Sequence, residues 1–164
     1  MNGMRSDIAD ADLRRAFACF PTGVTAICAL VDGQPVGMAA SSFTSVSIEP
    51  PLVSVCMQNS SNTWRKLASL ARLGLSFLSA EHEGASRQLA AKTGDRFAGI
   101  DWQPRASGAV FITGASVWLE CSIHQRIAAG DHEIVLLLIE TLGSQPDVSP
   151  LVFHASRYRQ LAAP

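Results

Sequence analysis

The sequence predicts a mainly β protein, an antiparallel barrel with helices packed outside it. Three observations carry that expectation: short extended runs rich in β-branched residues, hairpin signals at Asp32-Gly33 and around Gly130-Asp131, and no regular alternation of strand and helix. A chain of 164 residues is one domain in length and buries roughly two-thirds of its unfolded surface in a single core. No repeat, linker or low-complexity segment divides it. Residues 1–164 are therefore expected to form one domain, with residues 1–8 as a disordered tail.

Each element follows from local signals. Leu13, Ala16, Phe17 and Phe20 recur at helical spacing behind Asp10, which predicts an amphipathic helix over 11–19 capped by Asp10 and stopped by Pro21 and Gly23. Residues 24–31 and 36–47 read as two extended runs joined at Asp32-Gly33. Pro50-Pro51 breaks the chain before a strand over 52–57, and residues 60–62 lead into a helix with Trp64, Leu67, Leu70 and Ala71 on one side. A strand over 73–78, a helix over 81–92 and a loop over 94–105 around Phe97 and Trp102 come next. Residues 117–127 and 133–142 are long extended runs joined through Ala128-Ala129-Gly130-Asp131, and a strand over 151–154 and a short segment around Tyr158 end the chain. The unbroken apolar run 134–139 predicts a strand covered on both faces and, with it, a homodimer.

Composition narrows the classes. Hydrophobic residues make up 48% and charged residues 16%, too apolar for disorder. Net charge is -1, from 13 Lys and Arg against 14 Asp and Glu, with no basic arm, so nucleic acid is not expected as a ligand. No apolar run approaches the ~20 residues that span a bilayer, and Asp7, Asp10 and Asp12 interrupt any signal-like core, so a cytoplasmic protein off the membrane is expected. Cys19, Cys28, Cys56 and Cys121 form no C-x-x-C pair and are expected to be reduced and mostly buried. His82, His124, His132 and His154 have no second ligand at metal-site spacing, so no metal is expected. Dinucleotide-fold, P-loop and zincin motifs are absent.

Several segments admit both a structural and a chemical reading. Residues 37–47 carry five hydroxyls between Ser41 and Ser47, either an edge strand with one wet face or a polar wall. Such a wall suits an isoalloxazine ring, whose pyrimidine edge alternates donors and acceptors and whose far end wants apolar contact. Ser60, Ser61 and Thr63, with Cys56 and Asn59 just before them, are either a helix cap or a cradle for a phosphate, and Arg96 is either a solvated loop residue or a charge-assisted partner of that phosphate. Gly130-Asp131 is explained by turn formation alone, which leaves His132 open. Phe153-His154 with Tyr158 is either a terminal aromatic plug or part of a ring site.

Taken together and in order, these blocks resemble the short NAD(P)H:flavin reductases that partner two-component flavin-dependent monooxygenases. The blocks are Phe20-Pro21-Thr22-Gly23-Val24, residues 37–47 with Glu49-Pro50-Pro51-Leu52-Val53, Phe97-Ala98-Gly99, Gly130-Asp131-His132 and Pro150-Leu151-Val152-Phe153. The resemblance implies an FMN-binding split β-barrel, antiparallel and Greek-key-like, working as a homodimer. It implies that Ala39, Ala40, Ser41 and Ser42 line the isoalloxazine, with Cys56, Asn59 and Phe97 nearby, and that Ser61, Thr63 and Arg96 meet the phosphate. His154 and Tyr158 match aromatic positions near the ring, and Gly130, Asp131 and His132 match the nicotinamide block. Many relatives have Thr or Cys near Ala39 or Ala40, and Lys where this chain has Arg96.

The activity so implied is hydride transfer from NADH or NADPH to FMN or FAD, with reduced flavin leaving by diffusion or transient contact for an oxygenase. No protein acid, base or nucleophile is required, because the cofactors perform the chemistry. Two alternatives share the fold: a non-catalytic flavin carrier, and an oxidase that retains its flavin.

Overall fold

The computed structural model describes residues 6–161. Most of the expected tail over residues 1–8 thus lies outside the described residues. Helix α1, Asp10–Ala18, opens on Ala9 as N-cap; Asp10 is its first residue and caps nothing, though with Asp12 it places negative charge in the first turn, where the helix dipole favours it. None of its residues is buried: Leu13 is 38%, Phe17 71% and the following Phe20 74% exposed.

The main sheet has seven strands, all antiparallel, and is built around two hairpins. β1 (Thr22–Gly23) is separate; β2 (Thr25–Val31) and β3 (Gln34–Ala40) turn at Asp32 and Gly33, whose φ values of 51 and 75° are those that an Asp-Gly turn matching strand twist requires. The single run expected over 36–47 is two strands. β3 stays on β2, while β4 (Thr44–Ser47) crosses to β5 (Leu52–Gln58), and residues 41–43 make the switch. β6 (Leu73–Phe77) follows α2 (Asn62–Leu67), and a single 3-10 turn precedes α3 (Glu83–Leu89) where one longer helix was expected.

Beyond α3 lie two three-residue strands, β7 (Trp102–Pro104) and β8 (Val110–Ile112), paired with each other. The first falls in the expected loop and the second was unforeseen. The second long hairpin joins β9 (Val117–Ala129) to β10 (His132–Ser144) through Gly130 and Asp131 alone, and β11 (Val152–His154) and β12 (Arg157–Arg159) close a small sheet with β1.

Strand order in the main sheet is β3-β2-β6-β9-β10-β5-β4, so the hydrogen-bonded ladder is open, with β3 and β4 as edges. The expected mainly β, antiparallel architecture with few helices is present, and among the described residues hydrogen bonding does not close the ladder into a barrel. β2 is buried on both faces: Ile27 and Ala29 join Val55, Met57, Leu75 and Trp64 in one core, and Ala26 and Cys28 join Leu89, Phe97, Val110 and Ile112 in another. β10 is not so covered. Val135 and Leu137 are fully buried, while Ile134, Leu136 and Leu138 on the other face are half-buried within the single chain.

Two cysteines, Cys28 and Cys121, are buried, and burial pushes each thiol up to about 12. Cys19 and Cys56 are exposed, contrary to expectation. Among the described residues no helix is long and apolar enough to cross a membrane, and no three potential metal ligands cluster.

Candidate functional site

Of the expected site residues, Ala39 and Ala40 lie on the edge strand β3 and Arg96 bonds to it, while Cys56 and Asn59 lie on and just after β5 and His132 belongs to the β9–β10 hairpin. An edge strand leaves alternate backbone groups unpaired. At Gly37 the carbonyl on that edge accepts from Arg96 Nη1 at 3.1 Å. A residue's N–H and C=O point to the same side of an antiparallel strand and the side alternates, so Ala39 offers both groups on this edge two residues on. Gly37 must be glycine: a Cβ there would lie 2.5 Å from Cys28 Sγ and 2.9 Å from Phe97 Cζ. Phe97 is therefore a core residue, 7% exposed, that supports β3 from behind and packs edge-on to Trp102.

Arg96 and Thr63, 33 residues apart, meet at 2.9 Å, with the guanidinium donating to Oγ1. Both are half-buried. Only Nη1 of Arg96 is used, and no carboxylate pairs with it among the described residues, so this corner carries an unneutralised cation with free donors. Ser61 does cap α2: its Oγ accepts from the Trp64 N–H at 3.1 Å.

Ser42 stands at the switch between β3 and β4. Its Oγ accepts from the Cys56 N–H at 2.9 Å and donates to the Cys56 carbonyl at 3.1 Å, replacing the ladder that residues 41–43 lack. The exposed Cys56 side is thereby fixed beside Ser42. Asn59 proves to be a strut for the hairpin: its Nδ2 donates to the Gly130 carbonyl at 3.2 Å and its backbone N–H to the Asp131 carbonyl at 3.0 Å.

The hairpin tip turns on Gly130, φ +68°, in the glycine-first pattern of a two-residue loop. Asp131 accepts from His132 Nδ1 at 2.8 Å, and that bond is the main cause holding its carboxyl below the usual range. Nε2 of His132 has no partner among the described residues. Behind the tip, Glu133 accepts from Arg126 at 2.8 and 3.0 Å and from the Trp64 indole N–H; Arg126, then Trp64, holds its carboxyl low.

At the end of β3 an open-sided hollow of about 150 Å³ is lined by Ala39, Ala40, Ser41, Phe153, Tyr158 and Ser86, among others. Phe153 and Tyr158 pack edge to face with centroids 5.2 Å apart, and the Tyr158 hydroxyl lies 2.8 Å from Ser86 Oγ. His154 is half-buried on β11 opposite Arg157, outside the lining of this hollow. Ser86, which no motif singled out, is the site residue sequence reasoning missed; one serine in a short helix gives no signal until Tyr158 is placed against it.

Small side chains beside an aromatic pair, an edge strand with free backbone groups and a guanidinium with no carboxylate partner among the described residues are features that could hold a planar ring carrying an anion. Residues 17–162 match the flavin reductase like domain, and the chain belongs to that family. A flavin reductase of Pseudomonas putida is 35% identical over 161 residues, covering 98% of this chain and 95% of the relative. The reductase subunit of a flavin-dependent monooxygenase from Mycobacterium tuberculosis is 33% identical, covering 94% and 84%. The solved structure of the NADH:FAD oxidoreductase of Streptomyces globisporus, in complex with NAD and FAD fragments, superposes with TM-score 0.88 at 38% identity over 96% of this chain and 98% of that one. Against one longer relative, from Rhizobium meliloti, the chain is 40% identical over 125 residues and spans 40% of its length.

Proposed function

We propose that this chain reduces FAD or FMN with NADH or NADPH and releases the reduced flavin to a monooxygenase component. The observation that carries this reading is Arg96, held between the Gly37 carbonyl and Thr63 Oγ1 with no acidic partner among the described residues. The residues fit a flavin nucleotide: Ala39 and Ala40 are small enough to leave a hollow for the ring, Ser41 and the β3 edge present donors and acceptors beside the turn that Ser42 pins to Cys56, and Thr63 and Arg96 face its phosphate end, with Ser61 capping the helix there. Bound flavin supplies the acceptor at N5 for the hydride from nicotinamide C4.

The protein's own work is placement. Donor and acceptor must stand at roughly 3 to 3.5 Å with water excluded. Tyr158 and Phe153 wall the ring, Cys56 and Asn59 shape its flank, and Gly130, Asp131 and His132 receive the nicotinamide, with His154 at the margin. His132 Nε2 is available for that contact because Nδ1 is engaged by Asp131.

A split barrel of one domain is the architecture we assign to this arrangement. Seven strands laid flat would set β3 and β4 about 29 Å apart, whereas the chain from Ala40 to Thr44 reaches at most about 14 Å, so the sheet must roll up without closing its ladder. A homodimer is supported by the exposed stripe of Leu13, Phe17 and Phe20 on and after α1, by Ile48 at 93% exposure, and by the half-covered outer face of β10. A cytoplasmic site of action accords with four free cysteines. Relatives named as monooxygenase reductase subunits support an oxygenase as the recipient.

The test is anaerobic. Purified protein mixed with FAD or FMN and NADH or NADPH should bleach the oxidised-flavin absorbance stoichiometrically with reduced nicotinamide consumed, many times per protein. Binding without bleaching would make it a carrier.

A further inference from the structure

Helix α3 meets the site with three consecutive residues, Ser86, Arg87 and Gln88, that no sequence block contains. Ser86 is 1% exposed, and its hydroxyl pairs with the Tyr158 hydroxyl at 2.8 Å. The Arg87 guanidinium carbon lies 4.7 Å from the centroid of the Tyr158 ring, and Glu83 holds the same guanidinium at 3.1 and 2.7 Å. Gln88 reaches elsewhere: its Nε2 donates to the carbonyls of Asp95 and Ala98 at 3.1 and 2.6 Å, on either side of Arg96.

Both partners need such support. Tyr158 sits on β12, a three-residue strand at the edge of its sheet, paired only with β11. Arg96 stands in an irregular segment, where the Phe97 ring is buried but no strand fixes the backbone on either side of the guanidinium.

We infer that α3 is a clamp that sets the two ends of the flavin site separately, Ser86 positioning the Tyr158 wall at the ring and Gln88 positioning Arg96 at the phosphate. The clamp rests on the flavin reading above. A buried hydroxyl pair has a particular signature: removing one member strands the other, while removing both is nearly neutral. Riboflavin, which has the ring and no phosphate, separates the two ends.

The experiment measures equilibrium binding of riboflavin, FMN and FAD to the full chain by quenching of flavin fluorescence. Ser86→Ala should raise all three Kd values by a common factor, about three- to tenfold, and so should Tyr158→Phe. The S86A/Y158F double variant should bind no more weakly than either single variant. Gln88→Ala should weaken FMN and FAD by a similar factor and leave riboflavin within about twofold of wild type. Thermal midpoints should stay within a few degrees of wild type.

Indistinguishable profiles for Ser86→Ala and Gln88→Ala across the three flavins, or additive losses for Ser86→Ala and Tyr158→Phe, overturn the clamp. A lowered midpoint with flavin affinities unmoved overturns it as well, by reducing α3 to a support of the fold. Wild-type protein that binds none of the three flavins contradicts the flavin reading itself, a result no variant profile can imitate.

Discussion

The phosphate corner and the hairpin tip are built in opposite ways. At the corner, Arg96, Thr63 and Gly37 come from a loop, a helix and an edge strand, and they are bonded to one another across 33 and 59 residues. At the tip, Gly130, Asp131 and His132 are consecutive and exposed or half-exposed; Asn59 braces their backbone, and the bond between their own side chains joins the neighbours Asp131 and His132. The groups of the corner are bonded to one another before any ligand arrives, with donors of Arg96 to spare; the tip keeps a ring nitrogen free. A preformed corner spares the cost of ordering its groups when an anion binds, whereas the free ring nitrogen at the tip leaves a contact for an incoming ligand to make.

The largest effect should come from the corner. Arg96→Ala removes the guanidinium there and leaves the Gly37 carbonyl and Thr63 hydroxyl without that donor. A charge-assisted hydrogen bond contributes about 1.5 to 3 kcal/mol, so FMN and FAD should bind at least about tenfold more weakly while riboflavin changes little. Calorimetric titration with each flavin reads this directly. Equal losses for all three would move Arg96 away from the phosphate.

Ser61→Ala sharpens the contrast by testing a neighbour that has a second job. Because Ser61 Oγ caps α2, its loss should cost about 1 kcal/mol of stability, seen in denaturant unfolding, before any effect on flavin is counted. Thr63→Ala should instead leave stability nearly intact and weaken FMN and FAD preferentially. If the two variants behaved alike, the cap and the phosphate contact would not be separate.

How much of this was legible in the sequence follows the same division. The hairpins at Asp32-Gly33 and Gly130-Asp131 announce themselves because a glycine at positive φ is a local requirement. The break at residues 41–43 was not visible, since a strand that changes partners keeps its composition; only Ser42 bonding to Cys56 shows it. β7 and β8 are too short for alternation to register. Phe97 is in the core behind β3, which was not visible either, because an aromatic beside a glycine turn reads the same in sequence from either side of a strand. Ser86 and Gln88 carry no signal at all until the chain ends they hold are folded against α3.

At the tip the expected effect is kinetic and smaller. His132→Ala should raise KM for NADH about fivefold and lower kcat/KM with it, while flavin Kd is unchanged and stability falls by less than about 0.5 kcal/mol. Steady-state kinetics with NADH varied at saturating FAD measure it. A joint loss of stability and flavin affinity would make His132 part of the scaffold, like the corner.

The smallest effect lies outside both regions and serves as a control. His82 Nδ1 accepts from the Ser79 N–H and hydroxyl at 3.1 and 2.9 Å, and Nε2 donates to the Thr113 carbonyl at 2.9 Å. Burial is the main cause lowering its pKa below the usual histidine value. The unfolded chain therefore takes up this proton first, so the stability His82 contributes is complete above about pH 6.5 and is lost as pH falls from there through the folded value. Thermal midpoints between about pH 7.5 and 5.5 should drop more steeply in wild type than in His82→Gln, with flavin selectivity untouched in both.

Protein freed of flavin and assayed for NADH oxidation against rising FAD concentration tests most directly whether this chain reduces a flavin that it does not keep. Oxidation should be absent without flavin and should rise with FAD to saturation; turnover that proceeds unchanged without added flavin would contradict it.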